Sequence, residues 1–202
     1  MMEKISISSG NTKMGKIQSV SLPPIVTCRK CCACAKKCYA AKICRLRENV
    51  RNAYERNLRI LREDPESYWT QVRLAVATSR YFSFHVSGDI PDRDYLDEMF
   101  KVAGEFDTDI LCFTKQYEIV NNYLDEGHII PKNLHLTFSP WPGIPYENPY
   151  NLPEAHVMFK DGSTTADMEI AKPCGGNCMT CALAGEGCWV MQSGDQVYFD
   201  EH

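Results

Sequence analysis

The stretch Tyr81-Phe82-Ser83-Phe84-His85-Val86 runs directly into Ser87-Gly88-Asp89. Pro91 to Gly104 follows with helical spacing, and then comes Asp109-Ile110-Leu111-Cys112-Phe113-Thr114. An apolar run closed by a turn tripeptide, a segment opened by proline and acidic residues, and a second apolar run make a β-α-β unit. The alternation continues downstream. Lys115 to Glu126 reads as a helix; Leu134 to Ser139, Ala155 to Phe159 and Gln196 to Phe199 read as strands. Upstream, Lys16 to Leu22 alternates apolar and polar residues and stops at Pro23-Pro24. Apolar residues at 43, 46, 50, 53, 54, 58 and 61 predict one long amphipathic helix over Tyr39 to Arg62. Asp64-Pro65 breaks it and opens another helix through about Ala77. Right-handed crossovers between such strands give a mainly parallel sheet. About five or six strands are too few for a closed eight-fold barrel. The expected fold is therefore one α/β domain over residues 1–202, a partial (β/α) barrel or an open sheet.

Cysteine is the other dominant signal. Ten of the eleven cysteines lie in two short stretches near opposite ends of the chain, Cys28 to Cys44 and Cys174 to Cys188; Cys112 stands alone. Such crowding means either a disulfide framework or a soft-metal site. The opening Met1-Met2-Glu3-Lys4-Ile5-Ser6 lacks a signal-peptide core, and no run is long and apolar enough to span a membrane. A cytoplasmic protein with no membrane partner is expected, in a compartment where thiols stay reduced. With 202 residues, 44% of them hydrophobic, the chain can build a core without disulfides, so the metal reading prevails. Cys-rich metal-binding loops are thus expected at both ends of the domain, the second being a segment 174–202 packed on it.

Cys28, Cys31, Cys34 and Cys38 carry a C-x2-C-x2-C-x3-C spacing close to that of bacterial ferredoxins. They fall between the first strand and the first helix, on the carboxyl-end rim where α/β sheets bind ligands. Cys174, Cys178, Cys181 and Cys188 supply four thiolates, enough to close a site, with Gly175, Gly176, Gly185 and Gly187 allowing a tight loop. A second [4Fe-4S] cluster fits that spacing. Zinc is the alternative at Cys174–Cys188. Charge adds a further signal: between Arg29 and Arg62 eleven basic residues face only Glu48 and Glu55, giving +9 in a chain whose net charge is -4. Such a segment is either a solvated helix face or a wall for a phosphate or nucleic acid.

Several of these residues form a pattern that resembles the gene product 88 family of phage and prophage proteins. It includes Ser9-Gly10-Asn11, Lys13-Met14-Gly15, Ser21-Leu22-Pro23, Thr27-Cys28, Cys34 and Cys38-Tyr39-Ala40. It continues through His85 to Ile90, Phe113-Thr114-Lys115, Asn133-Leu134, Phe138-Ser139, Trp141-Pro142-Gly143, Asn148-Pro149 and the terminal cysteines. The family pattern uses Cys28, Cys34 and Cys38, leaving Cys31, Cys32 and Cys44 as extras. The family is in turn distantly similar to radical-SAM proteins, although C-x5-C-x3-C departs from their usual C-x3-C-x2-C. The resemblance implies an iron–sulfur, radical-SAM-like enzyme acting on an unidentified substrate. Three cysteines would hold the catalytic [4Fe-4S] cluster, and Ser87, Gly88 and Asp89 would hold S-adenosylmethionine. A cluster reduced in each turnover also needs a reductase or other electron donor. Lys115 and His85 are the candidate catalytic residues, Lys115 as a grip for an anion at the rim and His85 facing inward near the cluster. The competing readings are a non-catalytic metal protein that binds nucleic acid through residues 29–62, and an electron carrier with two closed clusters.

Overall fold

The computed structural model describes residues 3–29 and 33–201. Its centre is an open sheet of eight strands: β1 (Ile7–Ser8), β2 (Gln18–Val20), β3 (Tyr81–Phe84), β4 (Asp109–Thr114), β5 (Leu134–Phe138), β6 (Glu154–Met158), β7 (Lys172–Pro173) and β8 (Gln196–Asp200). The order is β1-β2-β3-β4-β5-β6-β8-β7, parallel throughout except for β1 against β2. The count exceeds the expected five or six because β1 and β7 have two residues each, too short to show a period. β8 slots between β6 and β7, so part of the segment 174–202 belongs to the sheet.

Six helices accompany the strands: α1 (Tyr39–Leu46), α2 (Glu48–Glu63), α3 (Pro65–Ala77), α4 (Arg93–Glu105), α5 (Tyr117–Asp125) and α6 (Cys178–Ala184). The single long helix expected over 39–62 is two, because Arg47 adopts extended dihedrals (φ -129°, ψ 97°) between them. The starts follow the capping chemistry of the sequence. Asp64 accepts from the Ser67 amide at 3.0 Å ahead of α3, with Pro65 in its first turn, and Asp92 accepts from the Tyr95 amide at 2.9 Å ahead of α4.

The two faces of the sheet are covered differently. Phe82, Phe84, Ile110, Cys112, Leu136 and Phe138 meet a helical layer that supplies Trp69, Val72, Leu96, Met99 and Val120. On the other face Tyr81 and Leu111 pack with Ile17, Met14, Ala182 and Trp189, and Cys178, Cys181 and Cys188 lie against that cluster. The second cysteine stretch therefore seals the non-helical face. Trp189 donates its indole N–H to the Cys178 carbonyl at 3.0 Å, and the Tyr81 hydroxyl donates to the Ala182 carbonyl at 3.1 Å. Both large rings are thereby buried with their polar atoms satisfied.

One buried amide ties the edge strands to α2. The Asn57 side chain accepts from the Ser6 amide at 2.6 Å and donates to the carbonyls of Ser6 and Ser21, each at 3.0 Å. Replacing Asn57 with alanine strips three hydrogen bonds from a site with no water access of its own. We expect a loss of about 2–4 kcal/mol in urea unfolding, whereas a loss below about 0.5 kcal/mol would contradict this role.

Candidate metal centre at the carboxyl edge of the sheet

The chain leaves β2 through Ser21-Leu22-Pro23 and crosses the carboxyl ends of the parallel strands before α1 begins. Each end of this crossing is tethered. At its start the Leu22 amide donates to the Ser87 carbonyl at 3.0 Å, and the Thr27 hydroxyl bonds the Pro23 carbonyl at 2.9 Å while accepting from the Asp89 amide at 3.2 Å. Arg29 reaches Glu118 at 2.6 Å and the Pro145 carbonyl at 3.1 Å. At its end Lys37, in a 3-10 helix over Ala33–Lys37, pairs with Glu201 at 2.8 Å and lies 4.6 Å from the Phe159 ring centre. Tyr39 donates its hydroxyl to the Val86 carbonyl at 2.5 Å. The loop thus lies over the ends of β3, β4, β5, β6 and β8, the rim on which the sequence places it.

Cys28, Cys34 and Cys38 are all partly exposed on this loop. The Cys28 sulfur accepts from the Ile25 amide at 3.3 Å, and Cys38 caps α1 by accepting from the Ala41 amide at 3.4 Å. Cys44 is buried on α1, with its thiol pushed up first by burial and then by Cys38. Cys31 and Cys32 lie outside the described residues.

The second set is more enclosed. Burial is the main cause that pushes Cys188 up to about 12 and Cys178 up to about 11; the neighbouring thiols, Cys174 foremost, add to it in both. Cys181 is raised as well, again by burial first and then Cys174. A side-chain carbon added at Gly175 or Gly187 would sit 3.1 or 3.3 Å from the Cys181 sulfur, so glycine keeps this cradle open. Among the described residues no three Cys, His, Asp or Glu side chains converge closely enough to hold a metal ion. The donors fit a soft metal in kind. They are all sulfur, and a bound cation would offset the burial that pushes up Cys178, Cys181 and Cys188.

Beneath the loop, the residues expected to bind and react take distinct positions. Gly88 has φ +82°, and a side-chain carbon there would approach the Leu22 carbonyl and the Thr27 hydroxyl to 2.7 Å, so only glycine suits this turn. Asp89 is buried and already engaged. It accepts from the Thr114 hydroxyl at 2.6 Å and from the amides of Ile90 at 2.8 Å and Lys115 at 2.9 Å. Burial raises its pKa, and those three donors with the Lys115 charge oppose the rise. The buried Ser87 hydroxyl has no hydrogen-bond partner among the described residues, so it is the unspent polar group of the tripeptide. The Lys115 ammonium lies 2.7 Å from the Ser139 hydroxyl and 5.7 Å from the Trp141 ring centre, at the rim where the sequence puts it.

His85 departs from expectation. Its φ of 61° turns the side chain out of the strand's alternation, towards the helical layer and away from the cysteine loop. There its Nε2 meets the Tyr95 hydroxyl at 3.1 Å and its Nδ1 meets the Cys112 sulfur at 3.9 Å. Tyr95 bonds on to Tyr68 at 3.1 Å. This buried polar chain carried no sequence signal beyond the isolated residues. Burial pushes His85 down to about 3.

A family model described as Gene product 88 matches residues 3–143, more than two thirds of the chain. The match spans the first cysteine loop, His85 to Asp89 and Lys115, and ends before Asn148-Pro149 and the terminal cysteines. No curated protein and no solved structure matches the chain.

The neutral His85 sets a pH dependence. Its folded pKa lies below the unfolded value of about 6.5, so above that pH it contributes nothing. As pH falls, only the unfolded chain takes up the proton. From about pH 6.5 to about pH 5 the folded state should lose roughly 2 kcal/mol through this residue. Asparagine also tolerates positive φ. In urea titrations at both pH values, His85→Asn should therefore show a shallower acid loss than the parent by that amount. Equal losses would mean that the folded protein protonates His85.

Proposed function

The chain belongs to the gene product 88 family, and we propose that it is an iron–sulfur enzyme of radical-SAM type. Cys28, Cys34 and Cys38 would hold its catalytic [4Fe-4S] cluster. The observation that carries this reading is the presentation of those three thiols on a tethered loop over the carboxyl ends of five parallel strands. A cluster with one open iron, once bound, supplies reductive cleavage of S-adenosylmethionine and hydrogen-atom abstraction from a substrate.

The chain's own groups divide the remaining tasks. Tyr39 holds the helix that follows Cys38 to the loop after β3 through the Val86 carbonyl. The Ser87 hydroxyl and the remaining lone pair of the Asp89 carboxylate would receive the ammonium of the cosubstrate. Lys115, held by a neutral hydroxyl, would grip a carboxylate or phosphate at the rim. His85 acts as a positioning residue, because its ring nitrogens face Tyr95 and Cys112. Cys174, Cys178, Cys181 and Cys188 would hold the second cluster, with structural zinc as its rival because the segment seals one face of the sheet.

Metal analysis of protein purified without oxygen tests the assignment. The parent should carry about eight irons and as many sulfides, and Cys34→Ala and Cys188→Ala should each lose about half. Unchanged iron in Cys34→Ala would overturn the catalytic site. Zinc in place of the iron lost from Cys188→Ala's parent site would assign that segment to structure alone.

A further inference from the structure

The basic segment divides into cations that the fold uses and cations that it does not. Arg29, Lys37, Arg51 and Arg59 make ion pairs with Glu118, Glu201, Glu48 and Glu3, and Arg56 reaches the Ser6 hydroxyl. Lys36, Lys42, Arg45, Arg47 and Arg62 are exposed and make no ion pair among the described residues. Four of these five lie on α1 or within a turn of it. Ala40 and Cys44 form the buried side of that helix, and Lys42 and Arg45, three residues apart, lie on the side away from it. Arg47 at the α1–α2 junction and Lys36 at the far end extend the row. All this sits in a chain of net charge -4, where each unpaired cation would find acidic partners easily if the fold required them.

Two further features bear on the ligand. Tyr39, at the start of the same helix and next to Cys38, leaves 46% of its surface exposed. Trp141 is partly exposed at the rim beside Lys115. A row of cations tracks a phosphate backbone, and aromatic faces at its end stack unpaired bases; the combination suits a single strand better than a duplex. A lipid surface would instead require a broad apolar helix face turned outward, whereas α1 buries Ala40 and Cys44 and leaves Leu46 as its one exposed large aliphatic side chain.

We propose that the outer face of α1, with Lys36, Lys42, Arg45 and Arg47, binds single-stranded nucleic acid and leads it to the cysteine loop. Binding itself needs no cluster; only the step from ligand to substrate rests on the iron–sulfur reading. Contact with four phosphates predicts an affinity loss of roughly 50-fold between about 50 mM and about 200 mM salt.

Fluorescence anisotropy of the full chain with a labelled oligothymidylate, at both salt concentrations, tests this. The parent should show that salt dependence and bind the single strand more tightly than a duplex of equal length. Lys42→Ala/Arg45→Ala/Arg47→Ala should bind at least about tenfold more weakly at low salt, with its salt effect reduced to roughly 3-fold, while its iron content and unfolding midpoint stay as in the parent. Arg80→Ala/Lys132→Ala, at the amino ends of β3 and β5 on the opposite rim, should bind as the parent does. No binding at low salt, equal loss in both variants, or attachment to phosphatidylserine vesicles without oligonucleotide binding would overturn the proposal. Iron-free protein that still binds the strand would sink the cluster assignment and leave this surface standing.

Discussion

Asp89 accepts from the Thr114 hydroxyl, the Lys115 amide and the Ile90 amide, and its own amide donates to Thr27. Through the carboxylate and amide of this one buried residue the loops after β2, β3 and β4 are fixed to one another. An unmet carboxylate in that position would cost several kcal/mol, so the three donors are what allow it to be there. Gln116 adds a second brace by donating to the carbonyls of Ile90 and Thr27. Cys28 follows directly on Thr27, so the cysteine loop starts from this braced point of the rim.

The sheet then assigns its two faces to separate purposes. Helices on one side supply the main core, and the second cysteine stretch covers part of the other. Val86 belongs to both regions: its side chain lies in the cluster that includes Cys178, Cys181 and Cys188, and its carbonyl receives the Tyr39 hydroxyl beside Cys38. The two thiol sets are therefore joined through one residue and one hydrogen bond.

Much of this architecture is legible in the sequence, where period and punctuation carry it. The runs 109–114 and 134–138 are apolar, flanked by breakers and long enough to read, and they are strands as expected. The break at Arg47 is silent, since the apolar spacing of Ile43, Leu46 and Val50 continues across it without proline or glycine. The direction of His85 is silent too, because a positive φ reverses the parity that strand alternation predicts. The engagement of Asp89 is silent as well, because two of its three donors are Thr114 and Lys115, 25 and 26 positions away. The cysteine loop's location on the rim follows from topology, which the β-α-β order specifies.

The most direct test of the account is electron paramagnetic resonance of the reduced protein, kept from oxygen, with and without S-adenosylmethionine. A cubane signal that shifts when the cosubstrate is added is the predicted result, because only an iron left open by three cysteines can take a further ligand. A cubane signal indifferent to it, or no iron signal from protein that carries zinc alone, would contradict the assignment of Cys28, Cys34 and Cys38 to a catalytic cluster.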